Sequence, residues 1–276
     1  ASKHAEYTAW YKALAPQISI VFRDEMPDPQ PEPGGGSPSL SPGLHLSTGD
    51  SGASDWMRRL ASEHPEVHPP SIKAYGNGAT MATLKLFKDI DPRTLTVGRL
   101  SKGCDPNVNV EGPDLSGDLQ AEAQRVMASS MCAWAPHRGY VDVWEVINEQ
   151  DPPGTDGHRK LAIFMQHCMD IADANGYKIA LFGYSLGVPE WEEMQAIAAT
   201  GVLAEAKRRG HYLALHEYDA PLDAHVGEGI PGREARPDRG AIALRYRWWE
   251  DAVGGADKMP GVLLTEVNVD ADMRTL

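Results

Sequence analysis

The sequence predicts a single α/β domain, a parallel (β/α)8 barrel of the TIM type, and three observations carry that expectation. Short apolar, β-branched runs alternate with amphipathic stretches at helical spacing along most of the chain. The runs are apolar along nearly their whole length, as strands buried on both faces are, rather than alternately apolar and polar. The length of 276 residues, 42% of them hydrophobic, suffices for one such domain with a sizeable core.

Taken in order, residues 43–47 carry a first strand signal and 54–62 a helical one. The pair recurs at 70–76 and 81–90, where Leu84, Leu86 and Phe87 are available to the core and Asp91-Pro92 ends the helix. Residues 95–100 form a third strand, 115–134 a long helix, and 141–151 a fourth strand. Beyond the Pro152-Pro153-Gly154 loop, a helix over 158–175 ends at Asn175-Gly176 in the manner of a left-handed cap. Strand five follows at 178–182, one helix at 191–209, strand six at 211–218, a helix at 241–253 and strand seven at 261–266.

Seven strands are one short of a barrel. If Leu276 is read straight on into Ala1, residues 272–276 and 1–14 make one helix with Met273, Leu276, Tyr7, Tyr11 and Leu14 at helical spacing. Pro16 ends it, and 17–23 supplies an eighth strand, while the Pro-, Gly- and Ser-rich stretch 27–42 reads as a linker. The expectation is a circularly permuted barrel, one domain over 1–276. Residues 1–26 complete helix seven and strand eight, and 43–276 hold strands one to seven. The alternative is an N-terminal extension docked elsewhere, with the true eighth strand lost.

The formal net charge of −13 argues against nucleic acid or an anionic membrane surface as partner, because both select clustered Lys and Arg. No apolar run approaches the roughly twenty residues of a membrane span. No leader opens the chain, an observation without weight if the native start is internal. Cys104, Cys132 and Cys168 are widely spaced, form no C-x-x-C pair and leave the redox compartment open.

The chemistry gathers at 141–151, where an apolar run ends in Asn148-Glu149. Strand alternation puts Val143, Glu145, Ile147 and Glu149 on one face and Trp144, Val146 and Asn148 on the other. Glu149 then stands at the carboxyl end of a parallel strand, where such barrels keep their chemistry. Glu266 ends strand seven in the same way, across the mouth. One such glutamate is more often a capping or salt-bridged residue; two can flank a glycosidic bond, one giving a proton to the leaving oxygen and the other meeting the oxocarbenium carbon.

With Asn148-Glu149 ending strand four, His216-x-Tyr218 ending strand six and Glu266 ending strand seven, the chain resembles the retaining glycosidases of clan A. The resemblance covers the order of barrel elements and these few residues. It implies that Glu149 is the acid/base and Glu266 the nucleophile, that Asn148 bonds the sugar 2-hydroxyl, that Tyr218 holds the nucleophile, and that His216 lines the same floor. The negative charge of Glu266 is expected to help Glu149 keep its proton. Three features depart from the clan: Gln150 replaces the usual proline, Lys73 is the nearest residue to the strand-two arginine, and the proposed eighth strand has no tryptophan.

Arg99 is a supporting residue that either serves the sugar site or neutralises Glu145 inside the barrel. Tyr184 and Trp191 are candidates to stack on a sugar face, whereas Trp248 and Trp249 belong to a helix and the core. His216-Glu217 and the scattered His4, His45, His64, His68 and His211 lack H-E-x-x-H spacing, so no metal and no cofactor are expected. Gly34–36 with Ser37 lacks the setting of a phosphate loop, and no serine occupies a G-x-S-x-G elbow. The expectation is a monomeric retaining glycoside hydrolase acting on neutral or weakly charged β-linked oligo- or polysaccharide, with secretion favoured by that substrate. Its alternative is a sugar-binding barrel of weak activity. An isomerase or aldolase acting on phosphorylated substrates would need a phosphate site and a Schiff-base lysine, and neither is evident.

Overall fold

In the computed structural model, the described residues are 19–24, 40–46, 52–65, 71–76, 78–218 and 225–267. Eight strands close a barrel in chain order. They are β1 (Ser19–Asp24), β2 (Leu40–Leu46), β3 (Ser71–Gly76), β4 (Thr96–Leu100), β5 (Val143–Glu145), β6 (Lys178–Tyr184), β7 (Tyr212–His216) and β8 (Gly261–Glu266). The helices between them are α1 (Ala53–Glu63), α2 (Gly78–Ile90), α3 (Leu119–Trp134), α4 (Gly154–Ala174), α5 (Trp191–Ala198), α6 (Val202–Arg209) and α7 (Tyr246–Val253).

Strands β2 to β8 are parallel, as the unbroken apolar runs predict. The closing strand differs from expectation. β1 runs antiparallel to both β2 and β8, whereas the eighth strand of a permuted (β/α)8 barrel would follow an outer helix and run parallel to its neighbours. The run at 17–23 is apolar in the manner of the parallel strands, so the sequence predicts the strand and misplaces its polarity. The joined helix expected from 272–276 and 1–14 lies outside the described residues.

Two further elements depart from the prediction. The helix expected over 191–209 is divided into α5 and α6 at Gly201, whose φ of +80° suits glycine and interrupts the helical path. The helix expected from 241 begins at Tyr246 because Glu217, beyond β7, accepts the backbone N–H groups of Leu244 and Tyr246, both at 2.8 Å. A carboxylate from another element thus satisfies N–H groups left open at a helix start.

Inside the barrel, Val97, Val143, Ala180, Ala214 and Leu263 form a small apolar layer. The larger core lies between strands and helices, where Trp144 stacks on Trp134 with ring centroids 5.0 Å apart. Gly98 permits this, since a Cβ there would stand 2.7 Å from the Trp144 ring. Trp248 and Trp249 are fully buried, as expected. Cys104 and Cys132 form a disulfide that ties the segment after β4 to α3, and Cys168 is a buried thiol. No described helix is long and apolar enough to cross a membrane.

Candidate active site

The mouth of the barrel is organised by an irregularity in the chain after β5. That strand ends at Glu145, and Glu149 adopts φ 50°, a sparsely populated region for a side-chain-bearing residue, while its N–H donates to the Gly183 carbonyl at 2.9 Å. Strand alternation therefore stops before Glu149. Asn148, expected on the outer face, instead accepts a hydrogen bond from Arg99 Nη1, and both Asn148 and Glu149 join the mouth.

Glu266 arrives from the end of β8. Its Oε1 accepts from Lys73 Nζ at 3.0 Å and from Arg99 Nη1 at 2.8 Å. Lys73, fully buried on β3, also pairs with Glu145 at 2.7 Å. Lys73 rather than Arg99 is thus the direct partner of Glu145. Arg99 reaches Asn148, Glu266 and, at 3.2 Å, Glu111, with its guanidinium 4.1 Å over the Tyr75 ring.

Glu149 is held by other groups. His216 Nδ1 lies 2.8 Å from Glu149 Oε1, and the Tyr218 hydroxyl donates to that oxygen at 3.0 Å. Ser185 Oγ is 3.1 Å from the same hydroxyl. Tyr218 therefore serves Glu149, not Glu266 as the clan resemblance implies. His216 bridges the pair, its Nε2 lying 3.7 Å from Glu266 Oε1. Ligand atoms of Glu149, His216 and Glu266 all lie within 4.8 Å of one another, so the two carboxylates share one pocket.

Their electrostatics differ in kind. Burial pushes the Glu266 pKa up, but the charges of Lys73, His216, His45 and Arg99 more than reverse this and hold it at about 2. The hydrogen bond from His216 lowers the Glu149 pKa against the opposing effect of desolvation. This corrects the expectation that Glu149 is held protonated beside Glu266: the hydrogen bonds it accepts, from His216 first, favour its carboxylate. Both glutamates are carboxylates in the free site. His45, beside Lys73 in register, is driven down to about 4 by burial and by the Lys73 charge.

Not every predicted residue joins the site. Tyr184 is fully buried, packed against Phe182 and Trp249 with ring centroids 5.0 and 6.1 Å away, and offers no face to a sugar. Trp191 is half-buried and capped by the Arg233 guanidinium, 4.4 Å from its ring centre. Gln150, in place of the clan's proline, donates through Nε2 to the Asn148 carbonyl at 3.1 Å. Sequence reasoning missed His45, Glu111 and Ser185. The inward register shared by His45 and Lys73 was the available signal for the first; the other two lie on loops, where no periodicity applies.

As a metal site the Glu149–His216–Glu266 group is poor, because Lys73 and Arg99 already supply two positive charges to Glu266. No family model and no curated protein matches the chain. Solved structures similar to it include a mandelate racemase/muconate lactonizing enzyme from Roseiflexus sp., at 13% identity over 82% of this chain and 54% of that one, with a TM-score of 0.32. A mandelate racemase/muconate lactonizing protein from Herpetosiphon aurantiacus is similar at 13% identity, 82% and 54% coverage and a TM-score of 0.33. An endo-β-1,6-glucanase is similar at 10% identity, 81% and 64% coverage and a TM-score of 0.40. The chain spans less than two thirds of the length of each, and these likenesses transfer no residue role to it.

Proposed function

We propose that the protein is a retaining glycoside hydrolase acting on β-linked sugars, with Glu266 as nucleophile and Glu149 as acid/base. The observation that carries this reading is the approach of Glu149 and Glu266 ligand oxygens within 4.8 Å, in unlike surroundings. Retaining glycosidases hold their carboxyl groups about 5–5.5 Å apart, whereas inverting enzymes leave about 6.5–9.5 Å for a water.

Roles follow from the partners. Glu266 is fixed as an anion by a lysine and an arginine and suits attack on the anomeric carbon. Among the described residues Glu149 is held by His216, Tyr218 and Ser185 and by no lysine or arginine, so it is the member of the pair that can gain a proton. A neutral sugar that displaces water around Glu149 raises its pKa toward the acid role, because desolvation penalises the charged form. Asn148, oriented by Arg99, would meet the 2-hydroxyl. The lowered free-state pKa of Glu149 favours activity on the acid side of neutrality. The disulfide is in keeping with an oxidising compartment and secretion.

The same low pKa also favours the second reading, a barrel that binds sugars with little turnover. A screen of aryl β-glycosides and then β-linked polysaccharides from pH 4 to 7 separates the two. Turnover with net retention supports the hydrolase; saturable sugar binding without turnover throughout that range supports the binding barrel.

A further inference from the structure

Two residues beyond Glu149, a second constellation plays no part in the reaction proposed above. It unites Asp151 on the loop after β5, His158 near the start of α4, and Glu193 in the first turn of α5. One ligand atom from each lies within 4.8 Å of the other two. His158 is completely buried, yet its Nε2 makes no hydrogen bond among the described residues. That nitrogen stands 3.3 Å from Asp151 Oδ1 and 3.3 Å from Glu193 Oε2. Its other nitrogen, Nδ1, is engaged by the Tyr184 hydroxyl at 2.9 Å.

We propose that Asp151, His158 and Glu193 form a binding site for one tetrahedral divalent cation of the zinc type. Nitrogen and oxygen ligands at about 2.0–2.1 Å from zinc, set at the tetrahedral angle, are roughly 3.4 Å apart. Both observed nitrogen–oxygen separations match that spacing. In the tautomer that donates Nδ1–H to Tyr184, Nε2 is a bare lone pair facing two carboxylates, a repulsive arrangement that a cation resolves. A protonated imidazole would instead be a buried cation whose Nε2 is shared between two carboxylates at 3.3 Å each.

The surroundings fit the same reading. Tyr184 holds the ring through Nδ1, as the outer partners of metal-bound histidines do. The Glu190 N–H donates to Glu193 Oε2 at 2.8 Å and orients that ligand. Two carboxylates and a neutral imidazole balance a double positive charge, and among the described residues no lysine or arginine forms an ion pair with either carboxylate. Asp151 is half exposed, so a fourth position opens to solvent for a water. A bound cation would clamp the loop carrying Asn148 and Glu149 to α4 and α5 and so position the acid/base.

The test titrates chelator-stripped full-length protein with Zn²⁺ by calorimetry, with Co²⁺ as a spectroscopic probe of tetrahedral geometry. Wild type is expected to take up one equivalent, to show a tetrahedral Co²⁺ spectrum and to melt at a higher temperature when loaded. Asp151→Asn alters an exposed side chain and leaves the core intact; it and Glu193→Gln should each weaken binding at least about tenfold. Glu266→Gln should bind as wild type. The proposal falls if folded wild type takes up no Zn²⁺, if Asp151→Asn and Glu193→Gln bind as tightly as wild type, or if Glu266→Gln is the variant that loses the ion.

Discussion

Lys73→Met removes the charge shared by Glu145 and Glu266 while keeping most of the side-chain volume. Glu145 is 1% exposed at its side chain, and the 2.7 Å ion pair with Lys73 is its main compensation. Breaking one partner of a buried pair costs about 3–5 kcal/mol. Set against a typical total of about 5–15 kcal/mol, that is a large share of the stability. At roughly 2 °C per kcal/mol for a chain of this size, the melting temperature should fall by about 6–10 °C. Adding Glu145→Gln should recover most of the loss, because the uncompensated charge goes with it. The same variant raises the Glu266 pKa from about 2, since Lys73 is the largest charge holding it down, and the acid limb of the activity profile should move to higher pH. Calorimetry on wild type, single and double variants measures the first effect, and rates against pH the second. A single variant as stable as wild type, or a double variant no better than the single, would refute the reasoning.

Glu217 is pushed up to about 7 by burial, despite the two N–H groups it accepts, so between its unfolded value of 4.5 and 7 only the folded chain holds that proton. Stability should be fully present below the lower value and fall by up to about 3 kcal/mol as pH rises through the window; chemical denaturation at pH 4.5 and 8 measures it, and Glu217→Ala, which has no titrating group here, should flatten the dependence. His216→Gln removes the hydrogen bond that lowers Glu149, so the alkaline limb of turnover should shift upward, with Tyr218→Phe shifting it less in the same direction. An alkaline limb unmoved in both would mean that Glu149 is not the acid.

Much of the barrel was legible because burial on both faces writes itself into composition: the runs at Ser71–Gly76 and Gly261–Glu266 could hardly be anything but parallel strands. Glu145, Lys73 and Glu266 were legible as charges placed among apolar neighbours. What escaped depends on three dimensions. The antiparallel sense of β1 belongs to its pairing with β2 and β8, not to which of its residues are apolar. The mouth position of Asn148 follows from the backbone leaving the sheet before Glu149, which strand alternation cannot foresee. Tyr184 reads as a loop aromatic until β6 is seen to extend to it and bury it against Trp249. The Asp151–His158–Glu193 group draws on a loop and two helices, so no spacing motif announces it.

The central claim, two carboxylates in distinct roles on one bond, is tested most directly by chemical rescue of their alanine variants. On an activated aryl glycoside that wild type cleaves, Glu266→Ala should be inactive and recover with azide, giving the glycosyl azide of inverted configuration, because azide occupies the vacated face of the sugar. Glu149→Ala should still form the glycosyl-enzyme on Glu266 and give the azide of retained configuration. Wild-type rates in both variants without azide, or the same product configuration from both, would contradict the account.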